Sequence, residues 1–310
     1  MTLSEKVNWH YRHFLKHRYP FLWSRHLSKE ILGKTTNFRN PMDLNEKIQW
    51  LMFYTDTRLW TMLADKFAVR QYVAKRVGSK YLVPLLGQWT SAEDIDFSQL
   101  PDKFVMKPNN GSYDAVICRD KSALDIEDTR SRMSYSLKHK FGYENAEPHY
   151  LDIPPCIIAE EYLESNAEGG LIDYKIWCFN GKSYGCFVVA NRDNSQHKSD
   201  FSFYDLNWVC HHEYMTRPFR SGFECPRPKN FDEMLEVATR LSEGLPQARI
   251  DLYNLNGRIY FGEITMSSNF GMMTYFTQNL LNEMGNNVIL PVRSVKEKIS
   301  TFCKRWLPRL

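Results

Sequence analysis

Apolar residues recur at helical spacing through the first eighty positions, and then the pattern changes character. The first forty residues read as helical and then turn-rich, ending at Asn40-Pro41. Asp43 with Glu46 makes a start of the capping-box type, followed by Leu44, Ile48, Leu51 and Met52 on one helical face. Leu59, Met62, Leu63, Val69, Val73 and Val77 predict a second helix over roughly Thr57 to Val77. Beyond it, Phe104 to Met106 and Ala115 to Cys118 read as short strands around a polar loop. Glu127 to Lys140 reads as a helix, and Ile157 to Leu163 as a strand with an acidic end.

Two Asn-Gly pairs then mark β-hairpins, because both residues tolerate the left-handed backbone that tight strand reversals need. Asn180-Gly181 joins Tyr174–Phe179 to Ser183–Ala190, and Asn256-Gly257 joins Ala248–Tyr253 to Arg258–Thr265. The polar stretch from Asn191 to Ser202 reads as a mobile loop, and Asn230 to Leu241 as a helix. There is no repeat, no low-complexity segment and no regular βαβ alternation. Helices followed by antiparallel pairs predict an α+β protein.

Composition narrows the function classes. The 310 residues are 43% hydrophobic and 25% charged, values of an ordinary globular protein. No apolar run is long enough to span a bilayer. Glu5, Lys6, Asn8 and His10 occupy the stretch where a signal peptide would be apolar. Seven scattered cysteines without a CxxC pair suit reduced thiols, so the expected location is cytoplasmic. Forty basic against thirty-six acidic residues give a net charge of +4, too small to indicate nucleic acid but compatible with an anionic substrate. Arg12, Lys16, His17, Arg18 and Arg25 are interleaved with Tyr11, Phe14, Tyr19, Phe21 and Trp23. A solvated helical face explains them; peripheral contact with anionic lipid is the sharper alternative.

The second hairpin, QARIDLYNLNGRIYFGEIT, carries the most chemistry. A two-residue turn pairs Leu255 with Arg258 and sends Asp251 and Glu263 to opposite faces. A three-residue loop pairs Asn254 with Arg258 instead. Arg249 then lies opposite Glu263 and Asp251 opposite Phe261, which gathers both carboxylates, the arginine and the Thr265 hydroxyl on one face. Paired carboxylates suit Mg²⁺ with nucleotide phosphates completing its shell, whereas an exposed cross-strand salt bridge is the plainer use of the same residues. Lys107 closes the strand PDKFVMK and enters the loop PNNGSYDAV, where a lysine and backbone N–H groups can hold phosphate oxygens. No GxxxxGK[ST] occurs, which excludes a P-loop. Glu160, Glu161, Tyr162 and Leu163 can offer an adenine edge backbone groups and a carboxylate, with Asp173 on the ribose, though charges at a strand end also mean simply that the strand meets water.

In order along the chain stand LADKFAV, KFVMKPNNGS, IIAEEYL, DYKIWCFNGK and RIDLYNLNGRIYFGEIT. Together these blocks resemble the ATP-grasp superfamily, most closely the TupA-like ATP-grasp group, from about Asn40 to about Gly271. The resemblance implies ATP held between two α+β lobes with antiparallel sheets. It implies an N-terminal helical segment over residues 1–55, a small lobe over 56–158 and a large lobe over 159–310. By position, Lys66 and Lys107 resemble the phosphate-binding lysines, with Asn110, Gly111 and Ser112 in the phosphate loop. Glu160 to Leu163 resemble the adenine hinge, Asp173 the ribose acid, and Lys175 completes the nucleotide-binding set. Asp251 and Glu263, with Thr265, resemble the magnesium site, and Arg249 the residue that steadies the acyl-phosphate transition state. Thr265 stands where the family commonly has Asn, and a hydroxyl is a poorer ligand than an amide oxygen. The loop also holds a single glycine where the group usually has more.

The implied activity is an ATP- and Mg²⁺-dependent ligase that joins a carboxylate to an amine or amino acid. A uronic acid, or a peptide attached to it, on a bacterial surface polysaccharide is the expected acceptor. A glycosyltransferase is the rival enzyme reading, against which stands the lack of a clear DxD motif. A non-catalytic nucleotide-binding protein is the rival from another class. His10, His13 and His17 share a helical face without a carboxylate or cysteine at ligand spacing, and in Cys210-His211-His212 neighbouring side chains point opposite ways, so neither reads as a metal site.

Overall fold

The computed structural model describes residues 2–112, 114–165, 170–193, 198–296 and 298–299. Its first half opens with helices α1 (Leu3–Arg18), α2 (Pro20–Leu32) and α3 (Leu44–Tyr54). Asp43 caps α3 by accepting from the Glu46 N–H at 2.9 Å. The Glu46 carboxylate reaches back past the cap, to the N–H groups of Met42 and Asn37. Leu44, Ile48, Leu51 and Met52 are all buried, as their spacing predicts.

The helix expected over Thr57–Val77 is two helices, α4 (Arg58–Ala64) and α5 (Val69–Arg76). Asp65 breaks it. Its Oδ1 accepts from the N–H groups of Phe67 and Ala68 at 2.8 and 3.1 Å, which starts a new helix in place of continuing the old one. The same oxygen accepts from Asn109 Nδ2 at 2.8 Å, so the break is fastened to the far loop. Helical periodicity survives the interruption because both halves bury their apolar faces in one core.

The strands are β1 (Leu85–Trp89), β2 (Phe104–Pro108), β3 (Val116–Cys118), β4 (Ile157–Glu161), β5 (Asp173–Phe179), β6 (Lys182–Asp193), β7 (Lys198–Tyr204), β8 (Gln247–Leu255) and β9 (Arg258–Thr265). Among the described residues they form two antiparallel sheets, ordered β1-β4-β2-β3 and β7-β6-β5-β8-β9. The stretch Asn191–Ser202, read from sequence as a loop, is mostly the paired ends of β6 and β7, with Ala190 opposite Asp200 and Asp193 opposite Lys198. Its polarity reflects an edge hairpin exposed to water, and its tip at 194–197 lies outside the described residues.

Helix α6 (Ile126–Lys138) packs beneath the first sheet, sharing a small core with Phe104, Met106, Val116, Ile157 and Ala159 through Met133. Helix α7 (Phe231–Ser242) covers the second sheet. The larger core joins that sheet to helices α2 to α5 and to α8 (Gln278–Asn287). At one seam the fully buried Gln49 accepts from the hydroxyls of Ser24, Ser28 and Thr36 and donates to the Gly271 carbonyl at 2.8 Å. Removing it takes the partner of the buried Ser24 hydroxyl and of the Gly271 carbonyl, and leaves Ser28 and Thr36 with each other. Gln49→Ala is expected to lower unfolding free energy by about 3 kcal/mol in urea titration, and a loss below about 1 kcal/mol contradicts this account.

Candidate nucleotide and metal site

The second Asn-Gly hairpin reverses in two residues. Leu255 pairs with Arg258, and Asn256 and Gly257 both take left-handed conformations, with φ of 53° and 82°. The three-residue loop expected from sequence does not form. The carboxylates come together by another device, a β-bulge at Gly262. Leu252 pairs with Phe261, yet Asp251 pairs with Glu263, so one extra residue on β9 returns Glu263 to the Asp251 face. Arg249 consequently lies opposite Thr265, not Glu263. A Cβ on Gly262 would stand 3.1 Å from the Asp251 carbonyl oxygen, tighter than ordinary contact, which suits glycine at the bulge.

Register extends this face onto β5, where Lys175 lies opposite Asp251 and Asp173 opposite Tyr253. Arg249 grips Asp251 with two bonds, Nε to Oδ1 at 2.7 Å and Nη2 to Oδ2 at 2.8 Å. The same Nη2 donates to Glu263 Oε1 at 2.9 Å and to Thr265 Oγ1 at 3.0 Å, while Thr265 donates to Glu263 at 2.8 Å. Lys175 is ion-paired with Asp251 and lies 3.8 Å from Asp173, whose carboxylate is also held by Arg192. Three acids and three cations thus occupy one patch of sheet.

The remaining candidates lie on the first sheet and at the helix break. Asn109 is buried, donating from Nδ2 to Asp65 and to the Pro154 carbonyl and accepting from the Cys156 N–H at 2.7 Å. Its own carbonyl accepts from the Lys66 N–H at 3.2 Å. The Lys66 ammonium donates to the carbonyl of Gly111, directly on the expected phosphate loop. Asn110 is buried and Ser112 exposed beside it. Lys107 meets Glu160 Oε2 at 2.6 Å, and Arg70 meets Glu160 Oε1 at 2.7 Å. The Glu160 side chain is therefore committed to orienting two cations, and only the backbone beyond it remains as a candidate edge for a base. Glu161 is exposed and its N–H is bonded to the Pro84 carbonyl; Tyr162 and Leu163 are half-buried at the end of β4.

A cavity of about 660 Å³ opens over the second sheet. Of the residues picked out from sequence, Ser112, Lys175, Arg249, Glu263 and Thr265 line it, whereas Asp251 lies buried behind Arg249 and Lys175. Glu160 to Leu163, Lys66, Lys107 and Asp173 stand outside its wall. The wall also holds Glu147, Tyr150, Ser267, Phe187 and Tyr275, none of which sequence reasoning found. Glu147 and Tyr150 sit in an irregular segment without periodicity, so no local pattern pointed to them.

A profile of the family described as TupA-like ATPgrasp matches residues 46–289. The chain belongs to that family. Its fold is the ATP-grasp arrangement of helices and antiparallel sheets expected from the order of its motifs. Similar solved structures include the D-alanine–D-alanine ligase from Bacillus anthracis complexed with ATP, at 14% identity, TM-score 0.43, and coverage of 80% of this chain and 67% of that one. The L-amino acid ligase from Bacillus licheniformis gives 13%, 0.48, 77% and 53%, so this chain spans about half its length. The D-alanine–D-alanine ligase from Helicobacter pylori gives 16%, 0.41, 80% and 69%. No curated protein matches.

In this TupA-like protein the electrostatics of the patch are those of a charged site kept charged. Burial would raise the Glu263 carboxyl, but Arg249, Lys175 and Lys66 outweigh it and hold Glu263 down to about 2. Burial also opposes the Arg249 charge, and Asp251 and Glu263 more than offset that, so the guanidinium stays protonated. Burial lowers the Lys66 ammonium; Glu263 works against the fall and Lys107 adds to it. Elsewhere, Cys210, His212 and Glu224 bring one ligand atom each within 4.8 Å, while His211 turns away to Glu213, so the adjacent histidines do point apart. His13 and His17 stack on one another at 4.1 Å on α1.

The depressed Glu263 fixes the sign of one pH effect. Its contribution to stability is complete above the ordinary carboxylate value of 4.5 and is lost as pH falls toward about 2. Glu263→Gln is therefore expected to show a shallower loss of stability than the parent between those limits, read as denaturation midpoints against pH. Parallel acid limbs contradict the depressed carboxyl.

Proposed function

We propose that this protein uses ATP and Mg²⁺ to activate a carboxylate as an acyl phosphate and couples it to an amine. The observation that carries this reading is the bulge-aligned pair Asp251 and Glu263, bridged by Arg249, with Glu263 in the cavity wall and electrostatically coupled to Lys66. The donor set suits the metal. Asp251, Glu263 and Thr265 offer only oxygen, the ligand a hard divalent cation prefers, and the Glu263 carboxylate is already in an environment that keeps it ionised. Bound there, magnesium would neutralise phosphate charge.

The chain's own residues supply the rest. Lys66, Lys107 and the loop backbone at Asn110–Ser112 hold phosphates, and Glu160 with Arg70 aims Lys107. Lys175 is paired with Asp251 and, were that carboxylate to hold a metal, would be free to meet a phosphate oxygen. The backbone at Tyr162 and Leu163 takes the adenine edge, and Asp173 takes the ribose hydroxyls. Arg249 stabilises charge on the carboxyl carbon's oxygens as the phosphoryl group arrives. A carboxylate is a poor electrophile, and the mixed anhydride made from it is a good one. Attack by the amine then forms the amide and releases phosphate.

The acceptor in this reading is a uronic acid, or a peptide carried by one, of a bacterial surface polysaccharide, and the donor is an amino acid. Support for the acceptor comes from the cavity wall, where the cations Arg192 and Lys198 stand beside the rings of Phe187, Phe201 and Tyr275. Cations hold an anionic sugar and ring faces stack on its apolar side. A panel of uronic acids and amino acids scored by ADP release tests the assignment. Asp251→Asn is expected to lower acid- and amine-dependent ADP release by about 10²-fold or more. Turnover within about tenfold of the parent contradicts the role given to Asp251.

A further inference from the structure

An amine must be held as an ammonium and then stripped of a proton before it can attack, and the cavity contains a group arranged for both. Glu147 and Glu263 are the acids in its wall among the described residues, and Glu263 is committed to Arg249 and Thr265. Glu147 is only 4% exposed, yet it lines the same cavity as Arg249 and Glu263. Its Oε1 accepts from the Ser267 hydroxyl at 2.5 Å, and Ser267 leaves β9 four residues beyond Glu263. His149 Nε2 lies 3.3 Å from that hydroxyl, and Tyr150 lines the same cavity, where the charges of Glu147 and Glu263 both act on it. A carboxyl that merely stitched a loop to β9 would have no need to face the space where the reaction takes place.

We infer that the end of the cavity bounded by Glu147, Tyr150, Ser267 and Asn269 is the site for the amine substrate, and that Glu147 receives its ammonium group and takes its proton. This rests on the ligase reading above. Burial pushes the Glu147 carboxyl up to about 8, with the Ser267 and Asn145 hydrogen bonds working against the rise and Glu263 adding to it. So raised, the group is neutral at pH 7. An arriving ammonium expels that proton to solvent and pairs with the carboxylate. Because the site is desolvated and the carboxylate is an unusually strong base, the proton then passes from nitrogen to Glu147. The neutral amine attacks the acyl carbon, the carbon–nitrogen bond forms and the carbon–oxygen bond to phosphate breaks. The second nitrogen-bound proton leaves with the departing phosphate, so one proton ends on Glu147 and one on phosphate. The cationic side of the cavity is left to the anionic acid substrate.

The test pairs two nucleophiles with the acid that is active in the panel: its own amine, and hydroxylamine, which is uncharged at neutral pH and needs no base. Glu147→Gln is expected to lose amine-dependent ADP release by about 10²-fold, while hydroxylamine-dependent release stays within about threefold. Equal losses with both nucleophiles, or no loss with either, overturn the inference. ATP affinity, measured alongside, is expected to be unchanged and shows that the variant folds. A panel with no active acid contradicts the ligase reading instead. Glu147 is then judged in ligand-free protein by carbon-13 NMR of labelled glutamate. A carboxyl titrating near 8 and missing from Glu147→Gln supports a proton acceptor in the cavity, and a midpoint in the ordinary carboxylate range overturns it.

Discussion

The site depends on one guanidinium held by two carboxylates of neighbouring strands. Arg249 binds Asp251 through two nitrogens and reaches Glu263 with one of them, in a geometry that charge-assisted, two-point hydrogen bonding favours. Two acids side by side repel each other; Arg249 pairs with both and Lys175 with Asp251, which offsets that repulsion. Such an arrangement is charged, partly buried and costly unless every member has a partner. The proposed binding of a polyanion and a dication would draw on that condition, because Arg249 and Lys175 could exchange a carboxylate for a phosphate.

Backbone geometry on each side makes the arrangement reachable. On β9 the extra residue Gly262 shifts the alternation of side chains by one, which decides whether Glu263 faces Asp251 or the opposite side of the sheet. Across the cavity, Asp65 interrupts a helix and Asn109 ties the interruption to the turn before β4. Those bonds bring Lys66 against Gly111, so the turn between two helices and the loop after β2 meet at one point. The two halves communicate through charge, since Lys66 and Glu263 each influence the other's protonation.

Much of this was legible from residue pattern. The Asn-Gly pairs located both two-residue reversals, helical spacing located α3 and α7, and the five ordered motifs led to the family that the profile match establishes. The register error has a physical source. Alternation alone allows the carboxylates to meet only by lengthening the turn, and a bulge inside the strand achieves the same by another route. Gly262 was the available signal, because glycine within a strand often marks a bulge. The break at Asp65 was hidden, since apolar spacing continues through it and the bond that fastens it runs to Asn109, 44 positions away. Glu147 was hidden for the same reason: its value lies in Ser267, 120 positions on.

Magnesium dependence of ATP binding by calorimetry tests the central claim most directly, in the parent and in Asp251→Asn. The account predicts that magnesium markedly tightens ATP binding by the parent. In the variant, Arg249 and Lys175 lose the carboxylate that occupies them, so metal-free ATP binds more tightly than to the parent and magnesium adds little. Equal tightening by magnesium in both proteins, or no ATP binding by the parent, contradicts a metal site at Asp251 and Glu263.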